Sequence, residues 1–133
     1  MICNGLKKER EFVKQVNFPS HIMCGSGHVI GKRLIEYTPF NDGKNNKVAL
    51  LVEAGQHWAA GTEIASLDTA LHFLRASGVL DSESINQYLS EQAKNPPTAE
   101  IWDVTDGITA TTDDFKFVKP FVGMEIISRS GTV

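Results

Sequence analysis

The run Val48-Ala49-Leu50-Leu51-Val52 is wholly apolar, and the residue that follows it is Glu53. A continuously apolar run of this length suits a central strand of a parallel sheet, covered on both faces. In open α/β sheets the carboxyl ends of such strands are where loops and helix N-termini gather around a ligand. A carboxylate there gains nothing from the core, and the chemistry it offers is general acid–base work. Ala54-Gly55 then allow close backbone approach, and Gln56, His57 and Trp58 follow at once. The structural alternative is that Glu53 caps a neighbouring helix or pairs with Lys47 or Arg33.

Other constellations are weaker. His21, Cys24 and His28 form H-x2-C-x3-H, but structural zinc ordinarily takes four ligands and no second closely spaced pair exists. On one strand His21 and Cys24 would also point to opposite faces, so packing and loop hydrogen bonding explain them better than a metal. GSGHVIGK, Gly25–Lys32, fails the Walker pattern because Ser26 stands at the first glycine position and Arg33 where Ser or Thr is required. It fails G-x-G-x-x-G as well, with Ile30 at the third glycine. No G-x-S-x-G elbow is present. Arg33 has a guanidinium suited to bidentate recognition of a substrate carboxylate, although a surface arginine is the simpler reading. His72, within an amphipathic helix, reads as a surface or boundary residue.

The elements that must position these residues alternate between helix and strand. Leu6, Phe12, Val13 and Val16 lie along one side of a helix whose other faces carry Lys7, Lys8, Glu9, Arg10 and Glu11. His21–Cys24 reads as a short strand after Pro19, Val29–Tyr37 is ambiguous with a second strand as one option, and Asn41–Asn46 is a polar loop. Ile64, Leu67, Leu71 and Leu74 recur at helical spacing behind a Thr62 N-cap, with Gly78 as the C′ residue. Asp81 caps a further helix bearing Ile85, Tyr88 and Leu89, which Pro96-Pro97 must stop. Beyond the prolines, Glu100–Val104, Phe115–Val118 and Met124–Ser128 are short β-type segments divided by turns. The expected organisation is thus an α/β portion over residues 1–95 and the beginning of a β portion over 96–133. Each is short of the strands needed to complete a sheet.

Composition narrows the partners. The chain has 133 residues, 41% of them hydrophobic and 22% charged, as ordinary globular sequence does. A net charge of -3 gives no basic surface for nucleic acid. No apolar run is long enough to cross a bilayer, and no basic-then-apolar leader opens the chain. Cys3 and Cys24 make no CxxC and no staple framework, which favours a reducing cytoplasm.

PSHIMCGSGHVIGKRLIEYTPF, a polar loop, VALLVEAGQHWA and then TALHFLRASGVL together resemble the succinylglutamate desuccinylase/aspartoacylase family of zinc hydrolases, relatives of the zinc carboxypeptidases. The likeness is best from Phe18 to Leu80; LLVEAGQHW and ALHFLRASG carry most of its specificity. FKFVKPFVGMEIISRSGTV resembles the start of that family's C-terminal β domain. The resemblance implies part of a carboxypeptidase-like mixed sheet with flanking helices, followed by the start of a β-rich domain. It also implies hydrolysis of an acyl-amide bond in an N-acyl amino acid or similar small substrate. By the same resemblance Glu53 matches the glutamate that deprotonates the zinc-bound water and then protonates the leaving amine. Arg33 corresponds loosely to a substrate-carboxylate contact, and His57 follows the motif in one branch of the family. The departure is in the metal half. The family holds its zinc through H-x2-E and a later His, and this chain has no H-x2-E. Zinc is therefore expected in the longer parent protein and no metal ligand in this chain, a C-terminal fragment. The rival expectation is a non-catalytic α+β binding or assembly domain. Association into a homo-oligomer is compatible with either.

Overall fold

A computed structural model describes residues 1–25 and 31–129. The chain opens with β1 (Ile2–Cys3), α1 (Lys7–Val16) and β2 (His21–Cys24), a β-α-β unit whose two strands pair in parallel, Ile2 with Met23 and Cys3 with Cys24. Helix α1 forms as its periodicity requires: Val13 and Val16 are fully buried against Ile22 and Cys24. Its start is closed by Glu9, whose carboxylate accepts from the Leu6 amide at 2.9 Å and from the Asn4 side chain at 3.2 Å. Glu9 is thus buried rather than on the solvated face that the charge pattern suggested, because reaching back to the first-turn amides draws it inward. Asn17, left-handed at φ 53°, ends the helix, with its amide on the Val13 carbonyl.

A single 3-10 turn, Leu34–Glu36, occupies the segment that was ambiguous in sequence; Val29 and Ile30 lie outside the described residues. Helix α2 (Ala60–Ala76) begins three residues earlier than expected. Thr62 lies in its first turn and donates to the Gln56 carbonyl at 2.7 Å instead of capping. Gly78, at φ +75°, does follow its C-terminus. Asp81 caps α3 (Ser82–Asn86), accepting from the Ser84 amide at 2.7 Å. The expected single helix then breaks, because Ser90 provides a fresh N-cap for α4 (Glu91–Lys94) and is itself held by the buried Asp68 of α2.

Two expectations about strands are corrected. Val48–Val52 is not a central parallel strand: it joins the sheet through Leu51 alone, antiparallel to Ile2, and most of it is half-buried. Glu100–Asp103 forms β3, and it pairs in parallel with β2, His21 opposite Glu100 and Cys24 opposite Asp103. The sheet order β1-β2-β3 therefore crosses the division expected after residue 95. Among the described residues 104–129 there is no strand, so Phe115–Val118 and Met124–Ser128 do not form the expected sheet. The architecture is mixed α/β, with a three-stranded parallel sheet extended by one antiparallel bridge.

The core gathers where α1 and α2 cover the sheet. Phe12 of α1 meets Phe73 of α2 edge to face, with ring centroids 5.2 Å apart. A second cluster, Leu71 with Ile85, Leu89 and Ala93, binds α3 and α4 to α2.

Candidate functional site

Glu53 is exposed, and its position follows from the strand before it. Leu51 exchanges both backbone bonds with Ile2, at 2.7 and 3.0 Å, so the chain passes Met1 as it reaches Glu53. The Met1 ammonium donates to the His21 carbonyl at 2.9 Å. Burial holds that ammonium below its ordinary value, while Cys3 and Glu53 pull the other way. Glu53 therefore ends its own strand but, that strand being antiparallel, stands at the edge where β1 and β2 begin. The sequence reading had placed it where parallel strands end.

A cavity of about 430 Å³ lies between this segment and α2, lined by Leu50, Val52 and Ala54 on one side and by Ala70, Phe73 and Leu74 among others on the second. Alternate residues of an extended chain face opposite sides. Leu51 and Glu53 accordingly are not part of its lining, and the carboxylate turns away from this apolar space.

His57 shares the loop that leads from Glu53 into α2. It is exposed, in a turn where the Gln56 carbonyl accepts from the Ala59 amide at 2.9 Å. Gly55 is required there: its φ is +119°, and a Cβ would sit 3.0 Å from the Thr62 hydroxyl. Glu53 and His57 thus share one loop at one edge of the sheet.

Arg33 does not join them. Its Nε and Nη2 donate to Glu36 Oε1 at 3.2 and 3.0 Å, and Nη2 also donates to the Gly25 carbonyl at 3.2 Å. Gly25 follows the last residue of β2, at the edge opposite to Glu53. At about 3.3 Å per residue, the strand from His21 to Gly25 separates the two edges by roughly 13 Å. A guanidinium paired with Glu36 and placed there braces the loop, and the structure does not bring Arg33 together with Glu53 and His57.

The donors that could hold a metal are dispersed. His21 is exposed at the start of β2, Cys24 is buried with its sulfur 3.0 Å from that of Cys3, and His28 lies outside the described residues. Among the described residues no three His, Cys, Asp or Glu side chains are grouped to share a metal ion. The described residues by themselves do not make a zinc site.

His72 is where sequence reasoning erred most. It is 1% exposed and touches three elements. Nε2–H donates to the Ala93 carbonyl at 2.9 Å, and Nδ1 accepts from Arg75 Nη2 at 3.0 Å. The Val16 carbonyl, 3.1 Å from Nδ1, takes its own bond from Arg75 Nη2 at 3.3 Å. Phe18 stacks on the ring at 5.1 Å. Every polar atom is satisfied by a neutral imidazole, and burial together with the charge of Arg75 pushes its pKa down despite the two carbonyls. This is a structural histidine that joins α1, α2 and α4.

The fold is thus a small mixed α/β unit, and no helix among its described residues is long and apolar enough to cross a membrane. Comparison with family models, curated proteins and solved structures finds no match to the chain.

Proposed function

We propose that this chain carries the proton-transfer carboxylate of a zinc-dependent hydrolase acting on the acyl-amide bond of an N-acyl amino acid or similar small substrate. The reading rests on resemblance to the succinylglutamate desuccinylase/aspartoacylase family, and one observation supports it above others. Glu53 is exposed and accepts no hydrogen bond from any described residue, on a loop whose Gly55 keeps a tight path into α2. A group that must take and return a proton needs that freedom. Glu53 takes a proton from the attacking water and passes it to the departing amine nitrogen, so the carboxylate ends each turnover as it began. The zinc ligands lie outside this chain in this reading, and Arg33 and His57 are the substrate contacts it assigns within the chain. A β-rich domain after this unit and a cytoplasmic setting belong to the same proposal; two thiols in contact but unbonded suit a reducing compartment.

The test uses the zinc-loaded enzyme that contains this chain, with N-acetyl-aspartate and N-succinyl-glutamate as substrates. Glu53→Gln should lower kcat by about 10²–10⁴-fold with zinc content unchanged, and full turnover by that variant would remove Glu53 from the mechanism. The chain alone should hold no stoichiometric zinc. A non-catalytic binding or assembly domain is the second reading, favoured by Trp58 at 81% exposure with Ile64 and Leu67 near one half.

A further inference from the structure

The segment Lys47–Glu53 has an outer edge as well as the one that meets β1. Leu51 turns its N–H and C=O to Ile2. In an antiparallel pair the neighbouring residues then turn theirs the other way. No described residue bonds the backbone of Val48, Leu50 or Val52. An open edge bearing apolar side chains is a template for another strand.

We infer that this edge pairs with the same edge of a second copy of this chain, antiparallel, about a twofold axis at Leu50. The register is fixed by two independent features. First, the outward-facing groups are on Val48, Leu50 and Val52, so the pairs that exchange backbone bonds are drawn from these residues, and a register centred on them sets Leu50 with Leu50 and Val48 with Val52. Second, that register sets Lys47 of each copy directly opposite Glu53 of the other, and both side chains are on exposed residues. Shifting the register by two residues in either direction keeps the backbone bonds but breaks both charge pairs. A twofold contact is self-complementary by construction, and here the sequence KVALLVE is complementary to itself in charge as well as in hydrogen bonding. Residues opposite one another share a face, so Leu50, Val48 and Val52 of both copies meet on the α2 side. The apolar cavity opens on that side, and Leu67, half-exposed, continues the helical row of Ala70 and Leu74 along it. Lys47 and Glu53 meet on the other face. The dimer engages the same Glu53 carboxylate that the hydrolase reading needs free, so it goes with the assembly-domain reading, and it is read by association and not by turnover.

Sedimentation equilibrium of the chain over a wide concentration range tests this. Dimerisation is expected, with Lys47→Glu and Glu53→Lys each weakening it about tenfold, because two attractive pairs become two repulsive ones. The double variant K47E/E53K restores the original affinity. Amide exchange at Leu50 and Val52 of the unmodified chain should slow as concentration rises. A chain that stays monomeric, leaving the edge to some other strand, overturns the proposal. So does a dimer whose affinity ignores both single charge reversals and whose Leu50 and Val52 amides exchange equally fast at all concentrations. Should a variant fail to fold, the exchange measurement alone decides.

Discussion

Replacing His72 with alanine removes a side chain that α1, α2 and α4 share. Its ring is sealed from solvent, bonds the Ala93 carbonyl at 2.9 Å and receives Arg75 at 3.0 Å. Emptying a buried site of this size costs about 2–5 kcal/mol, scaled by how far the surroundings collapse. Here Phe18 would lose its stacking partner, and Asp68 pins α4 nearby, so collapse is restricted. The Ala93 carbonyl is left without its donor, which adds about 1–3 kcal/mol, while Val16 keeps Arg75. A loss of about 3–8 kcal/mol is a large share of the roughly 5–15 kcal/mol that holds an ordinary domain together. Urea unfolding followed by far-UV circular dichroism should show the midpoint fall by about 2 M. A loss below about 1 kcal/mol would refute the picture of His72 as a buried junction. The pH dependence gives a second readout. Because the folded-state pKa lies below the unfolded value, the unfolded chain binds the proton more readily. The stabilisation is therefore fully present above the unfolded value, near 6.5, and is lost as pH falls from there through the folded one. His72→Gln should flatten that part of the stability profile.

The Lys8 ammonium donates to the carbonyls of Asp42 and Lys47, both at 2.7 Å, with Pro39 and Asn45 at 3.4 Å. Lys8→Met should speed amide exchange across residues 39–47 and leave α2 unchanged; equal protection in both proteins would show that the loop holds itself. Burial beside Cys24 pushes the Cys3 thiol up to about 12, and Cys24 is itself only 3% exposed, so neither cysteine should react with a disulfide reagent at pH 8 until the chain is unfolded in denaturant. Rapid labelling of the native protein would contradict that burial.

Much of the frame was legible because it is local. The spacing of Val13 and Val16, the cap at Asp81 and the stop at Gly78 each act within a few residues, and each is found. What misled was whatever depends on a distant partner. An apolar run such as Val48–Val52 looks the same whether its neighbour is parallel or antiparallel, and only Ile2 decides. Glu9 and His72 look like surface residues by charge and period, but their partners, first-turn amides and remote carbonyls, carry no sequence signature. Arg33 reads in sequence as a surface arginine, and nothing there marks Glu36, three residues on, as its partner. Glu53 was recognised as an unusual charge, while the edge of the sheet on which it stands was not.

Strand β3 has a further consequence, for the order in which the chain can fold. Its pairing with β2 is accompanied by a bond between the Ala99 amide and the Asn17 side chain, 82 residues apart, and by an ion pair of Arg10 with Asp103, 93 residues apart. Closing loops of that length forfeits entropy before any contact rewards it, which slows folding relative to locally wired domains. During synthesis β1, α1 and β2 emerge before β3, so β2 keeps one side uncovered until Asp103 has left the ribosome. The β-α-β unit at the start of the chain is consequently a scaffold held in suspense, made early and completed last.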